Sequence, residues 1–305
     1  MLNVHIVKVL TSKENGIVLC QCGNVKGILE RVIKLKYKIK GGHMNHSIKV
    51  TLLNPEQVKN IFKEWGTFAC ECYNTPDKYA EKVGNSCYED EHFSGSRTEY
   101  IKFKIEGVDR GIAEQAMRHE IGVRQQPFDE NTYDENPNNI VKNMKSFRYV
   151  DMDNFEYSTP KNIQDIEDAL KEFVDCIEYI NTKRINIKNI LIQNGVDKKQ
   201  AVEDSNYLLP RASNVSLCIA FTLEALIHYM HKRLCTRSQK LHQILAKKIR
   251  NEVLKVLPAL EDRLVPQCEY LLWCPEKNKC CGKKPTKKQL LEKLNHINGG
   301  INNID

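Results

Sequence analysis

Long apolar runs are missing from this sequence: no window approaches the roughly eighteen uninterrupted apolar residues that a membrane-spanning helix requires. Even VSLCIAFTLEALIHYM is broken by Glu224 and His228. The opening residues MLNVHIVKVLTSKENG lack the basic leader, long apolar stretch and small-residue cleavage site of a signal peptide. Neither membrane insertion nor export is expected, and the expected location is the cytoplasm. His43, His46, His92, His228 and His231 show no HExxH spacing, and no hydrolase nucleophile elbow or phosphate-cradling glycine loop occurs. Zincin, hydrolase and P-loop chemistries are thereby set aside. There is no internal repeat at solenoid periods.

What is present is a chain long enough to bury a real core. Of its 305 residues 41% are hydrophobic and 28% charged, which allows one large or two moderate domains under a charged surface. Its 46 Lys and Arg against 39 Asp and Glu leave a net charge of +7 spread along the chain, an excess that suits a phosphate-bearing ligand without implying DNA binding. Twelve cysteines in a chain of this size without an export signal read as reduced thiols rather than a disulfide framework.

Three regions follow from the patterning. Residues 1–46 are β-rich, with VHIVKVL and GIVLCQC separated by KENG and a break at Gly41 and Gly42. Residues 47–260 carry the main domain, and 261–305 form a Cys- and Lys-rich tail. Within the main domain SIKVTLL reads as a strand, and Asn54 and Pro55 open a helix that runs to about Cys72. YIKFKI alternates Ile101, Phe103 and Ile105 with lysines, as a half-buried strand does, and Gly107 releases the chain into a helix. Gln115, Arg118 and His119 stand at i, i+3 and i+4 there, on one polar face. Residues 123–145 have the composition of a long inserted loop. Thr159 and Pro160 are expected to cap a long amphipathic helix through Ile163, Ile166, Leu170, Phe173, Val174, Ile177 and Ile180. A shorter helix follows Asp197, VSLCIAF reads as a buried strand, and two further helices carry Leu223 to Met230 and Leu241 to Val253, with Arg233 in the last turn of the first.

Arg118, His119, Arg148, Arg233 and Arg237, with the Ser146 hydroxyl, suggest an anion site, because guanidinium groups bind phosphate through two nitrogens at once. The order of these residues adds more. FACECYNTPD, HFSGSRTEYIKFKIEGVDRGIAEQAMRHE, SFRYVD with FEYSTP, and LLPRASNVSLCIAFTLEALIHYMHKRL are similar, in that order, to the AARxCY, HxSxxEHxxFxFxIxGxSRxxxxQxxRHR, SxRY and LP-strand with SLxHFLxLR segments of the flavin-dependent thymidylate synthase family. The resemblance covers about two thirds of the chain.

That resemblance implies an α+β fold, an antiparallel or mixed sheet packed with long helices, preceded here by the β-rich extension. It implies a homotetramer whose neighbouring subunits complete each site. Gln115, Ser146, Arg148 and Arg233 would bind dUMP, and Arg233, facing the pyrimidine carbonyl edge, would stabilise charge developing on the ring. Arg118 and His119 would lie beside FAD, with methylenetetrahydrofolate as carbon donor and NADPH as the electron source. The family pattern is broken at Glu120 and Glu224, where it has arginines, with Arg237 or Arg124 as the expected compensating cations. It is broken also at Thr98 and at Asn206, where an Arg is usual before LLP. These departures leave open methylation of dUMP, a related pyrimidine modification such as hydroxymethylation, or an inactive homologue.

In the tail, Cys268, Cys274, Cys280 and Cys281 could supply four thiolates to a zinc ion, although their spacing is not that of paired CxxC knuckles. With KKPTKK nearby, the other class of reading is a zinc-stabilised nucleic-acid-binding protein. Aromatic interleaving of the lysines is absent, so nucleic acid is not the expected partner.

Overall fold

The computed structural model describes residues 48–93, 95–118, 140–148, 150–276 and 279–301, and the short segments 10–11, 18–19 and 42–43. An antiparallel sheet organises the main domain. Its strands are β1 (Lys49–Leu52), β2 (Ile101–Asp109), β3 (Ile140–Met144) and β4 (Asn214–Phe221), in the order β1-β2-β4-β3. The alternation of YIKFKI does what its period requires: Ile101, Phe103 and Ile105 are fully buried while Lys102 and Lys104 face solvent. The β2 register shifts between Ile105 and Val108, where Gly107 sits at φ 70°, a conformation that costs glycine little. The strand then turns directly into helix α4, described below.

Helices cover this sheet. Pro55 opens α1 (Pro55–Lys59), but the expected single helix is broken at Asn60, and α2 (Ile61–Cys72) starts afresh. Asn54 makes no capping bond. Its amide donates to the Tyr100 carbonyl at 2.7 Å and accepts from the Lys102 N–H at 2.9 Å, tying the helix start to β2 instead. α2 crosses α3 (Ala80–Glu89) at backbone contact: a Cβ on Gly66 would lie 1.7 Å from the Ala80 carbonyl oxygen, and one on Gly84 would lie 1.7 Å from that of Phe62.

After β2 comes α4 (Arg110–Met117), whose N-cap Asp109 accepts the Ile112 N–H at 2.9 Å. The inserted segment is not all loop. Residues 119–139 lie outside the described residues, but 140–144 form β3, an edge strand registered on β4 from Ile140 opposite Phe221 to Met144 opposite Leu217. The Asn- and Pro-rich composition upstream masked a short IVKNM run whose backbone groups β4 satisfies.

The long helix also departs from expectation. Pro160 precedes a single turn, Lys161–Gln164, and Thr159 lends its carbonyl to the Gln164 amide at 2.7 Å rather than capping with its hydroxyl. The helix proper, α5 (Glu167–Gln193), begins after Ile166, which is 59% exposed. Val174 and Ile177 are buried, whereas Tyr179, Ile187 and Ile190 face outward and the buried positions of its later turns are Arg184 and Lys188. The expected apolar stripe therefore enters this chain's core only in its middle.

α6 (Lys198–Ser205) is capped by Asp197, and α7 (Leu223–Arg233) by Thr222. With α8 (Lys240–Leu254), α7 packs the core through Leu226, Tyr229, Met230, Leu245 and Ile249, all fully buried. The Cys- and Lys-rich tail includes a last helix, α9 (Lys287–Ile301). Among the described residues of the first region, Leu10–Thr11 pairs antiparallel with Val18–Leu19, and Gly42–His43 pairs parallel with Tyr157–Ser158. No helix among the described residues is long and apolar enough to cross a membrane.

Candidate active site

Two different cavities are lined by sequence-derived residues, one by Ser146 and Arg148 and the other by Arg233 and Arg237. The first, of about 570 Å³, is walled by Lys145, Ser146, Phe147 and Arg148 after β3, and by Glu203, Asn206 and Tyr207 at the end of α6. The Lys145 N–H is fixed to the Ser216 carbonyl at 2.9 Å, so the β3–β4 pairing sets where Ser146 stands. Ser146 Oγ accepts the Arg148 N–H at 3.2 Å, which brings hydroxyl and guanidinium to one wall. Arg148 grips Glu203 through Nε at 2.6 Å and Nη2 at 3.4 Å. That two-nitrogen face is the one a phosphate takes. Tyr207, 85% exposed, stands at the mouth.

Asn206, which replaces the expected Arg, is buried and structural. Its amide donates to the Phe147 carbonyl at 2.6 Å and the Val150 carbonyl at 3.1 Å, and its oxygen accepts from Arg184 Nη1 at 2.8 Å. Arg184, fully buried, also binds Asp153 at 2.8 Å, and Lys188 reaches both Asp153 and Asp151. Burial pushes the Asp153 carboxyl up, but hydrogen bonds from Lys188 and Arg184 prevail and hold it below the usual carboxylate range. This network braces the Ser146–Arg148 segment from behind. Sequence reading missed it because its cations lie on α5 at positions that look solvated.

The second cavity, of about 430 Å³, lies between the end of α7 with the turn to Ser238 and the segment from Pro266 to Lys283. Arg233 and Arg237 line it. Burial pushes the Arg233 guanidinium below its ordinary value, partly offset by Tyr229. Arg237 donates to Glu276 at 3.3 Å and to the Lys279 carbonyl at 3.4 Å. It is therefore committed to the tail and does not compensate Glu224. That role falls to Arg97, whose Nε and Nη2 lie 2.8 and 3.4 Å from the two Glu224 oxygens. Glu224, expected to leave an uncompensated negative charge, is thus paired within the chain. Arg124 lies outside the described residues.

Gln115 projects from α4 to α8, where its amide donates to Gln239 at 3.3 Å and its oxygen meets His242 Nδ1 at 3.4 Å. An amide oxygen only accepts, so Nδ1 donates there, and Nε2, 2.9 Å from the Tyr229 hydroxyl, accepts from that phenol. His242, fully buried, was not foreseen, since a lone His in an apolar helical pattern carries no signal. The expected polar face of α4 stops short: Arg118 is its exposed C-cap at φ −91° and ψ 3°, and His119 and Glu120 lie outside the described residues.

The four-cysteine metal set does not form as expected. Among the described residues no group of three or more His, Cys, Asp or Glu side chains is placed to hold a metal ion. Cys268, Cys274 and Cys281 border the second cavity, but Cys280 instead donates to the Lys284 carbonyl at 3.3 Å.

Comparison with known proteins gives the family. Residues 54–259 match the family model described as Thy1, thymidylate synthase complementing protein. The chain belongs to this family. A flavin-dependent thymidylate synthase of Nitratidesulfovibrio vulgaris is 29% identical over 206 residues, covering 67% of this chain and 77% of that one. One from Clostridium tetani is 28% identical over 196 residues, covering 62% and 71%. Among solved structures, a UMP/dUMP methylase PolB from Streptomyces cacaoi bound with 5-Br UMP has a TM-score of 0.48 at 13% identity, covering 73% of this chain and 96% of that one. The matched span contains the residues that line the first cavity and the α7 wall of the second, and it leaves the Cys-rich tail outside.

Proposed function

We propose that this chain methylates dUMP to dTMP, with carbon from methylenetetrahydrofolate, FAD as the flavin and NADPH as the electron source. The observation that carries this reading is the family match across residues 54–259, a span that includes Gln115, Ser146, Arg148 and Arg233. Arg148 and Ser146 bind the nucleotide phosphate, with Glu203 displaced from the guanidinium. Arg233, at the half-buried end of α7, faces the ring carbonyl edge, where a poorly solvated cation stabilises negative charge more than one in bulk water does. Gln115 is oriented for the nucleotide by Gln239 and His242.

Bound FAD supplies the hydride when reduced. The charge reversal at Glu224 does not argue against it, because Arg97 neutralises that carboxylate. Arg118 and His119 hold the flavin, with Arg237 nearby. The division of the binding residues between two cavities supports a site completed by neighbouring subunits of a homotetramer, as do the exposed Ile166, Tyr179, Ile187 and Ile190.

The test is to load purified protein with FAD, desalt it, and record its visible spectrum with and without dUMP, then follow conversion of dUMP with methylenetetrahydrofolate and NADPH. Retained flavin bands that shift with nucleotide, and a dTMP product, are expected. A colourless protein that forms no dTMP sinks the reading, and a hydroxymethylated product replaces it with the related modification.

A further inference from the structure

Helix α8 carries a histidine where an apolar residue would fill the space. His242 lies in the buried stripe with Leu241, Leu245, Ala246 and Ile249, and it is fully buried, as is Tyr229 on α7. Their ring centroids are 5.5 Å apart, and Phe221 packs on Tyr229 at 5.2 Å. Polar groups so placed must satisfy one another, and the Tyr229 hydroxyl meets His242 Nε2 at 2.9 Å. We propose that Tyr229 and His242 are positioning residues, a phenol–imidazole pair that decides which end of the Gln115 amide is turned toward α8 and which group it keeps for a ligand. Naming that ligand a nucleotide rests on the proposed function; the pair's hold on Gln115 does not.

Three observations carry this. An imidazole has two polar edges, and here each meets a different helix: Nε2 takes the phenol of α7, and Nδ1 lies 3.4 Å from Gln115 Oε1 on α4. A neutral imidazole has a single N–H, so the phenol's donation to Nε2 leaves that hydrogen on Nδ1, where only the oxygen end of the Gln115 amide can accept it. An apolar residue in the stripe could not make this choice. The nitrogen end of the same amide is also held from α8. Gln239, three residues before His242, accepts from Gln115 Nε2 at 3.3 Å. One amide N–H of Gln115 then remains, a donor for an acceptor oxygen of the ligand.

Finally, the relation between α7 and α8 is clamped. The buried Gln243 donates to the carbonyls of Thr236 and Ser238 at 3.2 and 2.5 Å, in the turn that joins the two helices. Arg233 stands one turn along α7 from Tyr229, so the pair ties Gln115 to the end of the helix that carries Arg233. Neither Tyr229 nor His242 needs to touch the ligand for this.

The tautomer is read directly by magic-angle-spinning NMR on full-length wild-type protein with isotope-labelled histidine, tyrosine and glutamine, which depends on no variant folding. The His242 signal is the one in contact with both a tyrosine ring and a glutamine side-chain carbonyl. A neutral ring protonated at Nδ1 is expected; one protonated at Nε2 would turn the opposite end of the amide toward α8 and overturn the proposal. Calorimetric titration with dUMP then compares variants. His242→Asn, whose amide nitrogen takes the place of Nδ1, should keep the wild-type affinity within about twofold, while His242→Leu, His242→Gln and Tyr229→Phe should each weaken it about five- to tenfold, the equivalent of one neutral hydrogen bond. Packing alone would favour Leu over Asn in that apolar stripe, so His242→Leu binding as well as His242→Asn overturns the proposal, as does wild-type affinity in Tyr229→Phe. Wild-type protein that binds no dUMP sinks the proposed function instead, and the tautomer then decides by itself whether the pair sets Gln115.

Discussion

Arg97 and Glu224 form a two-nitrogen ion pair that joins the chain just before β2 to the first turn of α7. Single charge reversals at either position place like charges together, and the double variant Arg97→Glu with Glu224→Arg should recover wild-type stability. Arg97 is half exposed, so Arg97→Ala should cost only about 0.2–1 kcal/mol in urea denaturation. A double reversal no more stable than the worse single one would show that the two residues are not coupled.

Asp153 gives the fold an acid-sensitive point. Its folded pKa is depressed, so its contribution is present above the unfolded value of about 4 and is lost as pH falls through the folded value. Asp153→Ala strands Arg184 and Lys188, and the expected loss is about 3 kcal/mol, the low end for breaking a buried pair because the carboxylate is one-third exposed. The variant's stability should also vary less with pH below 4 than the wild type's; an unchanged acid limb in thermal melts would refute this.

The α2–α3 crossing admits no side chain at Gly66. Gly66→Ala should cost about 3 kcal/mol, the upper end of overpacking penalties, because the obstruction is backbone. Gly195→Ala, at φ 85° with open space around it, should cost about 1–2 kcal/mol from backbone strain alone. Equal melting temperatures for the two variants would contradict this ordering.

On the proposed function, Arg148 binds the nucleotide phosphate and Glu203 competes for its guanidinium. Arg148→Ala should weaken dUMP binding roughly 10- to 100-fold, the equivalent of one charge-assisted contact of about 1.5–3 kcal/mol. Glu203→Gln, which removes the competing carboxylate charge, should tighten it. Calorimetric titration with dUMP decides, and an affinity indifferent to both changes would remove Arg148 from the phosphate site.

Much of this was legible in advance where one period governed a whole element. β2, β4, α7 and α8 are covered on one or both faces by the same chain, so their apolar spacing reports burial directly. α5 misled because its apolar face lies largely outside this chain's core while Arg184 and Lys188 go inside to partners near residues 151–153. The break at Asn60 was hidden because the apolar spacing continues across it, from Val58 to Ile61 and Phe62. At the candidate site the sequence does not show which residues partner one another: Glu203, Arg97 and His242 lie far along the chain from the residues they hold.

The pairing of β3 with β4 separates the length of the inserted segment from the position of Ser146. Because the register from Ile140 to Met144 and the Lys145 bond to Ser216 fix the approach to Ser146, residues can be added or removed before 140 without moving that hydroxyl or Arg148. The candidate site downstream of β3 is thus indexed to the sheet rather than to the count of residues before it.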